Sequence, residues 1–154
     1  MDSLVPAVDY LVPDDVATAI RMKAGGPSVL AGGTDVYPSH VGRPVAGPVL
    51  DIGNLSELRG FTVTPEHHRI GALTRWADVA SAELPTGFDG LRAAAREVGS
   101  VQVQQAGTVG GNLCNASPAA DGVPPLLALD ASVELASQAG TRVLALEDFL
   151  TGYR

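Results

Sequence analysis

The chain has 154 residues, of which 45% are hydrophobic and 18% charged, a balance that builds one buried core and excludes intrinsic disorder. Ten Lys and Arg stand against seventeen Asp and Glu, for a net charge of −7, and aromatics are only 5%. With no basic cluster and few stacking rings, nucleic acid and anionic membranes are excluded as partners.

The segment from Val5 to Val12 is apolar and contains Pro6, which reads as an edge strand. Pro13-Asp14-Asp15 opens a helix with acid at its positive end, Val16, Ala19, Ile20 and Lys23 follow at helical spacing, and Gly25-Gly26 ends it. Ser28-Val29-Leu30 and Val49-Leu50-Asp51-Ile52 are short buried strands, so the first part reads as a small parallel α/β layer. From Asn54 the grammar changes. Phe61–Val63 and Ile70–Ala72 flank the turn Thr64-Pro65-Glu66-His67 as an antiparallel hairpin. Thr74 caps a short helix carrying Trp76, Val79 and Ala80; Leu91, Ala94, Ala95 and Val98 form a second helical stripe closed by Gly99. Val101 and Val103 alternate with glutamines as in a half-buried strand. Pro118 to Leu129 holds turns and a short helix, and Val133–Leu135 with Arg142–Leu144 form a second hairpin around Ala139-Gly140. The chain therefore divides into two subdomains, 1–53 and 54–154.

Three stretches carry chemistry. Ala31-Gly32-Gly33-Thr34-Asp35 comes directly after a strand. Paired glycines let backbone N–H groups approach an anion such as phosphate, although the same pattern also makes an ordinary strand-to-helix turn. Gly107-Thr108-Val109-Gly110-Gly111-Asn112 is a second glycine-rich loop, with neither the lysine of a P-loop nor the G-x-G-x-x-G spacing of a dinucleotide βαβ unit. Two such loops in two subdomains favour a long ligand with two ends, a dinucleotide above all. In Asn115-Ala116-Ser117-Pro118-Ala119-Ala120-Asp121 the lone aspartate is either a hydrogen-bond acceptor for a ligand or the start of an Asx turn. Adjacent His67 and His68 read as turn residues, Cys114 as a small core thiol and Trp76 as core, so no metal site or catalytic triad is assembled. The N-terminus lacks the basic start and apolar run of a signal peptide and no stretch has the length of a membrane span, which gives the expectation of a cytoplasmic protein.

Taken in order, Ala31–Asp35, Ile70-Gly71-Ala72-Leu73-Thr74, Gly107–Asn112, Ala116–Asp121 and the terminal Asp148-Phe149-Leu150-Thr151-Gly152-Tyr153-Arg154 resemble the FAD-binding medium subunit of molybdenum hydroxylases, the xanthine dehydrogenase, carbon monoxide dehydrogenase and aldehyde oxidoreductase complexes. The resemblance implies an α+β fold of the vanillyl-alcohol oxidase and p-cresol methylhydroxylase type: a small parallel α/β subdomain and an antiparallel-sheet subdomain with FAD between them. It implies that Ala31, Gly32, Gly33, Thr34 and Asp35 carry the pyrophosphate, that Thr108, Gly110, Gly111, Asn112 and Asn115 contact the flavin end or the pyrophosphate, and that Asp121 bonds the flavin or ribityl region. The implied partners are a molybdopterin-binding large subunit and a 2Fe-2S small subunit, with electrons relayed through FAD to an acceptor such as NAD. Members of that family continue past the Tyr-Arg segment, so the chain is expected to lack their C-terminal part, to bind FAD weakly and to self-associate. The alternatives are a stand-alone flavin oxidoreductase and a binding domain that no longer holds FAD.

Overall fold

The computed structural model describes residues 9–152. Of the first expected strand only Tyr10–Leu11 (β1) falls among them as strand, and Val5 to Val8, like Tyr153 and Arg154, lie outside the described residues. Helix α1 (Val16–Lys23) starts one residue later than the acidic pair suggests. Asp15 is its N-cap, its carboxylate accepting from the Thr18 N–H at 2.6 Å, a bond that holds the carboxyl below its ordinary pKa. Arg21 and Lys23 occupy the last turn, where the dipole favours cations, and Lys23 Nζ donates to the Pro27 carbonyl at 2.8 Å.

Strands β2 (Ser28–Leu30) and β3 (Val49–Asp51) complete a three-stranded parallel sheet in the order β1-β3-β2. Ser28 faces Val49 and Leu30 faces Asp51; Tyr10 faces Val49 from the other side. The central strand carries the buried Val49 and Leu50, as a strand covered on both faces must. A single turn of helix, α2 (Val36–Ser39), comes after the first glycine loop.

Both expected hairpins are present, the first with its second strand two residues earlier than expected, at His68–Ile70 rather than Ile70–Ala72, because the turn is tighter and His68 already pairs with Val63. β4 (Phe61–Val63) pairs with β5 (His68–Ile70), and β6 (Ser132–Ser137) pairs with β7 (Gly140–Ala145), both antiparallel. They form separate two-stranded sheets, tied by a two-pronged ion pair from Arg69 to Glu134 at 2.6 and 3.2 Å. Between them stand α3 (Trp76–Ser81), α4 (Asp89–Glu97), α5 (Val101–Ala106), α6 (Val109–Asn115) and α7 (Val123–Ala128), with α8 (Leu146–Phe149) after the second hairpin. The main core gathers Trp76, Val79, Leu91, Ala95, Val98, Val109, Leu113, Leu126 and Leu146. A smaller cluster sets Leu55 and Leu73 against Ala19 of α1, fastening the parallel layer to the segments on either side of the first hairpin.

Four local readings are corrected. Val101–Ala106 is a helix, not a strand: Ser100 caps it, the Gln104 N–H reaches the Ser100 carbonyl at 2.9 Å, and Val101 points to solvent, 67% exposed. The stretch after Thr108 is also helical, because Thr108 is an N-cap. Thr74 caps nothing; its buried hydroxyl grips both backbone groups of Gly60, accepting from the N–H at 2.9 Å and donating to the carbonyl at 3.1 Å. Cys114 is exposed on α6 rather than buried in the core. Gly99 does close α4, with φ +53.

Candidate functional site

The two glycine-rich stretches meet. A Cβ placed on Gly32 would stand 2.1 Å from the Ala106 carbonyl oxygen and 3.1 Å from Gly107 Cα, so only glycine lets the first loop lie against the end of α5. A Cβ on Gly107 would come within 3.5 Å of Thr34 Oγ1. Gly33 has φ +71 and lies over the Tyr37 ring, a conformation other residues seldom adopt.

Their backbone donors differ. In the second stretch the Val109 N–H donates to the Thr74 carbonyl (2.9 Å), the Gly110 N–H to the Ala72 carbonyl (2.8 Å), the Gly111 N–H to Thr108 Oγ1 (3.1 Å) and the Asn112 N–H to the Thr108 carbonyl (3.0 Å). Those four amides are committed to the chain itself. In the first loop the N–H groups of Gly32, Gly33, Thr34 and Asp35 find no acceptor among the described residues. Consecutive unpaired amides around a positive-φ glycine form an anion-binding concavity. The first loop therefore leaves its amides open, while the second spends its amides on packing against the chain.

A cavity of about 250 Å³ opens where the stretches meet. Ala31 and Gly32 line it from the first loop and Thr108 from the second; the other expected site residues do not. Asp51, Asn54, Arg59, Arg75 and Gln105 add polar side chains to its lining, and sequence reasoning assigned none of them to the site. The Asp51 carboxylate is held on both oxygens, by the Gly53 N–H at 2.8 Å and by the Tyr10 hydroxyl. That second bond pushes the Tyr10 pKa up to about 12, since losing the phenol proton would set two anions together. Arg59 Nη2 donates to the Gly53 carbonyl at 2.5 Å.

Asn112 lies on α6 with its Oδ1 fully buried and unpartnered, 3.2 Å from where a Cβ on Gly122 would stand. Asn115 is the half-buried last residue of that helix, and Ala116 comes next in the left-handed region, φ +50. Asp121 is exposed and makes no hydrogen bond or ion pair among the described residues. The turn before α7 is built by Ser117, whose Oγ accepts from the Ala119 N–H at 3.2 Å, so an Asx turn is not the role of Asp121. A second cavity, about 270 Å³, lies between Ala116-Ser117-Pro118 and Val123, Leu150 and Gly152.

The family model described as the FAD-binding domain in molybdopterin dehydrogenase matches residues 6–154. The chain belongs to that family. Among curated relatives, it is 36% identical over 146 residues to the xanthine dehydrogenase FAD-binding subunit of Escherichia coli O157:H7, covering 89% of this chain and 49% of that protein. It is 38% identical over 128 residues to the nicotinate dehydrogenase FAD-subunit of Eubacterium barkeri, covering 82% and 43%. The chain thus spans about half the length of the curated relatives it matches. Among solved structures, quinoline 2-oxidoreductase from Pseudomonas putida 86 superposes with a TM-score of 0.85 at 27% identity, covering 96% of this chain and 53% of that one. The α+β fold is therefore that of the FAD-binding subunits of this oxidoreductase family, with FAD as the family's cofactor. Among the described residues no helix is long and apolar enough to cross a membrane.

Proposed function

We propose that the chain holds FAD within the medium subunit of a molybdenum hydroxylase, where it hands electrons arriving from a 2Fe-2S small subunit to an acceptor such as NAD. A molybdopterin-binding large subunit carries the substrate chemistry, in the cytoplasm. Bound FAD supplies the reversible electron chemistry, while the protein supplies binding, orientation and electrostatics. The observation that carries this reading is the row of unpaired N–H groups from Gly32 to Asp35 beside a polar cavity, in a chain of this family.

The residues divide the work. The N–H groups of Gly32, Gly33, Thr34 and Asp35 receive the diphosphate oxygens, and α2 behind them keeps the loop in place through the Tyr37 N–H to Gly33 carbonyl bond at 3.0 Å. Gly110 and Gly111 act by packing: a Cβ on Gly110 would stand 2.8 Å from the Ala72 carbonyl oxygen, so the glycine lets α6 settle on the segment that leads from β5 to the cavity. Thr108 closes the wall by capping α6. Asp121, exposed and unpartnered, offers an acceptor to a ribityl or ring donor, and Asn112 and Asn115 stand on the helix between.

The test is a titration of the purified chain with FAD, monitored by quenching of flavin fluorescence and by the visible spectrum. Saturable one-to-one binding supports the reading. A protein that stays colourless and leaves FAD fluorescence unchanged at hundreds of micromolar flavin refutes it.

A further inference from the structure

We infer that Arg59 and Arg75, which lie in neither glycine-rich stretch, form the cationic clamp that fixes the ligand's diphosphate in the cavity beside the first loop. The inference rests on the FAD reading above and names the residues that select the diphosphate-bearing half of the cofactor.

FAD carries two negative charges on its diphosphate, and the chain's formal charge is −7. Such a protein repels its ligand unless cations stand locally at the site. None of Ala31 to Asp35 is cationic, and Asp35 adds a negative charge. The fold supplies the missing charge from elsewhere. Arg59 arrives from the turn between the parallel layer and the first hairpin, and Arg75 from the residue just before α3. Both line the cavity that Ala31 and Gly32 also line.

Neither guanidinium is in an ion pair among the described residues. The cavity also holds one carboxylate, Asp51, held by the neutral donors of Tyr10 and Gly53, so the two arginines leave the lining with a net charge of about +1 rather than −1. Arg59 is anchored by its bond to the Gly53 carbonyl, and this one bond leaves most of its five donors open. Two arginines outside any ion pair, lining the cavity beside the loop of unpaired amides, are the donor set that a diphosphate needs, because planar forks match phosphate oxygens two at a time.

The experiment compares the unaltered full chain with Arg59→Gln and Arg75→Gln, titrated with FAD, ADP, inorganic pyrophosphate and riboflavin by calorimetry and flavin fluorescence. Arg59→Lys and Arg75→Lys retain the charge, and circular dichroism melts verify that each variant folds. Each Gln variant is expected to weaken FAD, ADP and pyrophosphate by roughly tenfold to a hundredfold, with riboflavin unaffected and the Lys variants intermediate. Folded Gln variants that bind FAD and ADP as the unaltered chain does overturn the clamp and leave the FAD reading standing. ADP and pyrophosphate binding that depends on both arginines, in a chain that does not bind FAD, upholds the clamp and overturns the FAD reading. A chain that binds none of the diphosphates overturns both.

Discussion

Replacing Gly32 by alanine tests whether the two glycine-rich stretches touch. The added Cβ would lie 2.1 Å from the Ala106 carbonyl oxygen and 2.8 Å from its carbon, against an ordinary contact of about 3.4 Å. The loop and the end of α5 must separate by about 1.3 Å (3.4 less 2.1), and both sides are backbone, so no flexible side chain can swing away. Overpacking of this kind costs roughly 1–3 kcal/mol, and the rigid neighbours put Gly32→Ala toward the upper end. For a chain of this length that lowers Tm by roughly 2–12 °C. The same displacement moves Gly32, and the loop of open amides that follows it, relative to the cavity, so FAD affinity should fall with stability. Gly90→Ala is the control: nothing lies within 4 Å of its Cβ position, and in a helix the exchange is neutral or stabilises by up to about 1 kcal/mol. The assay is a thermal melt of both variants with an FAD titration beside it. A Gly32→Ala protein that melts within a degree of the unaltered chain and binds FAD equally would show that the stretches are not in contact.

Thr108→Val removes the cap from α6 and leaves the Gly111 N–H without its acceptor, which should destabilise by about 1 kcal/mol, while Thr108→Ser retains most of the stability; chemical denaturation compares the three. Asp121→Ala should weaken FAD about tenfold to a hundredfold and leave the melting temperature unchanged, because the exposed carboxylate holds nothing in the fold. A drop in melting temperature with normal FAD affinity would assign Asp121 to structure instead. Tyr10 keeps its proton to about pH 12 in the folded chain and to about 10 when unfolded, so its bond to Asp51 stabilises fully below pH 10 and is lost as pH rises through 12. Ultraviolet titration should show a late tyrosinate that disappears in Tyr10→Phe and moves back toward 10 in Asp51→Asn.

Much of the architecture is written locally. The apolar run Ser28–Leu30, the Val49–Leu50 pair and the stripe from Val16 to Lys23 are short-range signals of strand and helix, and they assemble as the parallel layer they predict. Both hairpins declare themselves by apolar runs around turn residues, and Gly99 marks the end of α4. The family is legible for a related reason: glycine, threonine and aspartate at fixed spacing leave a pattern that survives in one dimension.

Only the tertiary structure decided what those glycines do. Alternating Val101-Gln102-Val103-Gln104 fits a strand as well as a helix, and the Ser100 cap with packing against the core chose the helix. Gly110 and Gly111 look as exposed as Gly32 and Gly33 in the sequence, yet their amides are bound to Ala72 and Thr108 while those of the first loop stay open. Which carbonyl lies opposite an amide is a long-range fact, set by how the segment from Gly71 to Thr74 threads between the hairpin and α6. Arg59 and Arg75 carry no local mark either. Sixteen residues apart in the chain, they share a wall only because Leu73 is drawn down against Ala19 and Leu55 between them, and a property of that packing has no signature in the order of the residues.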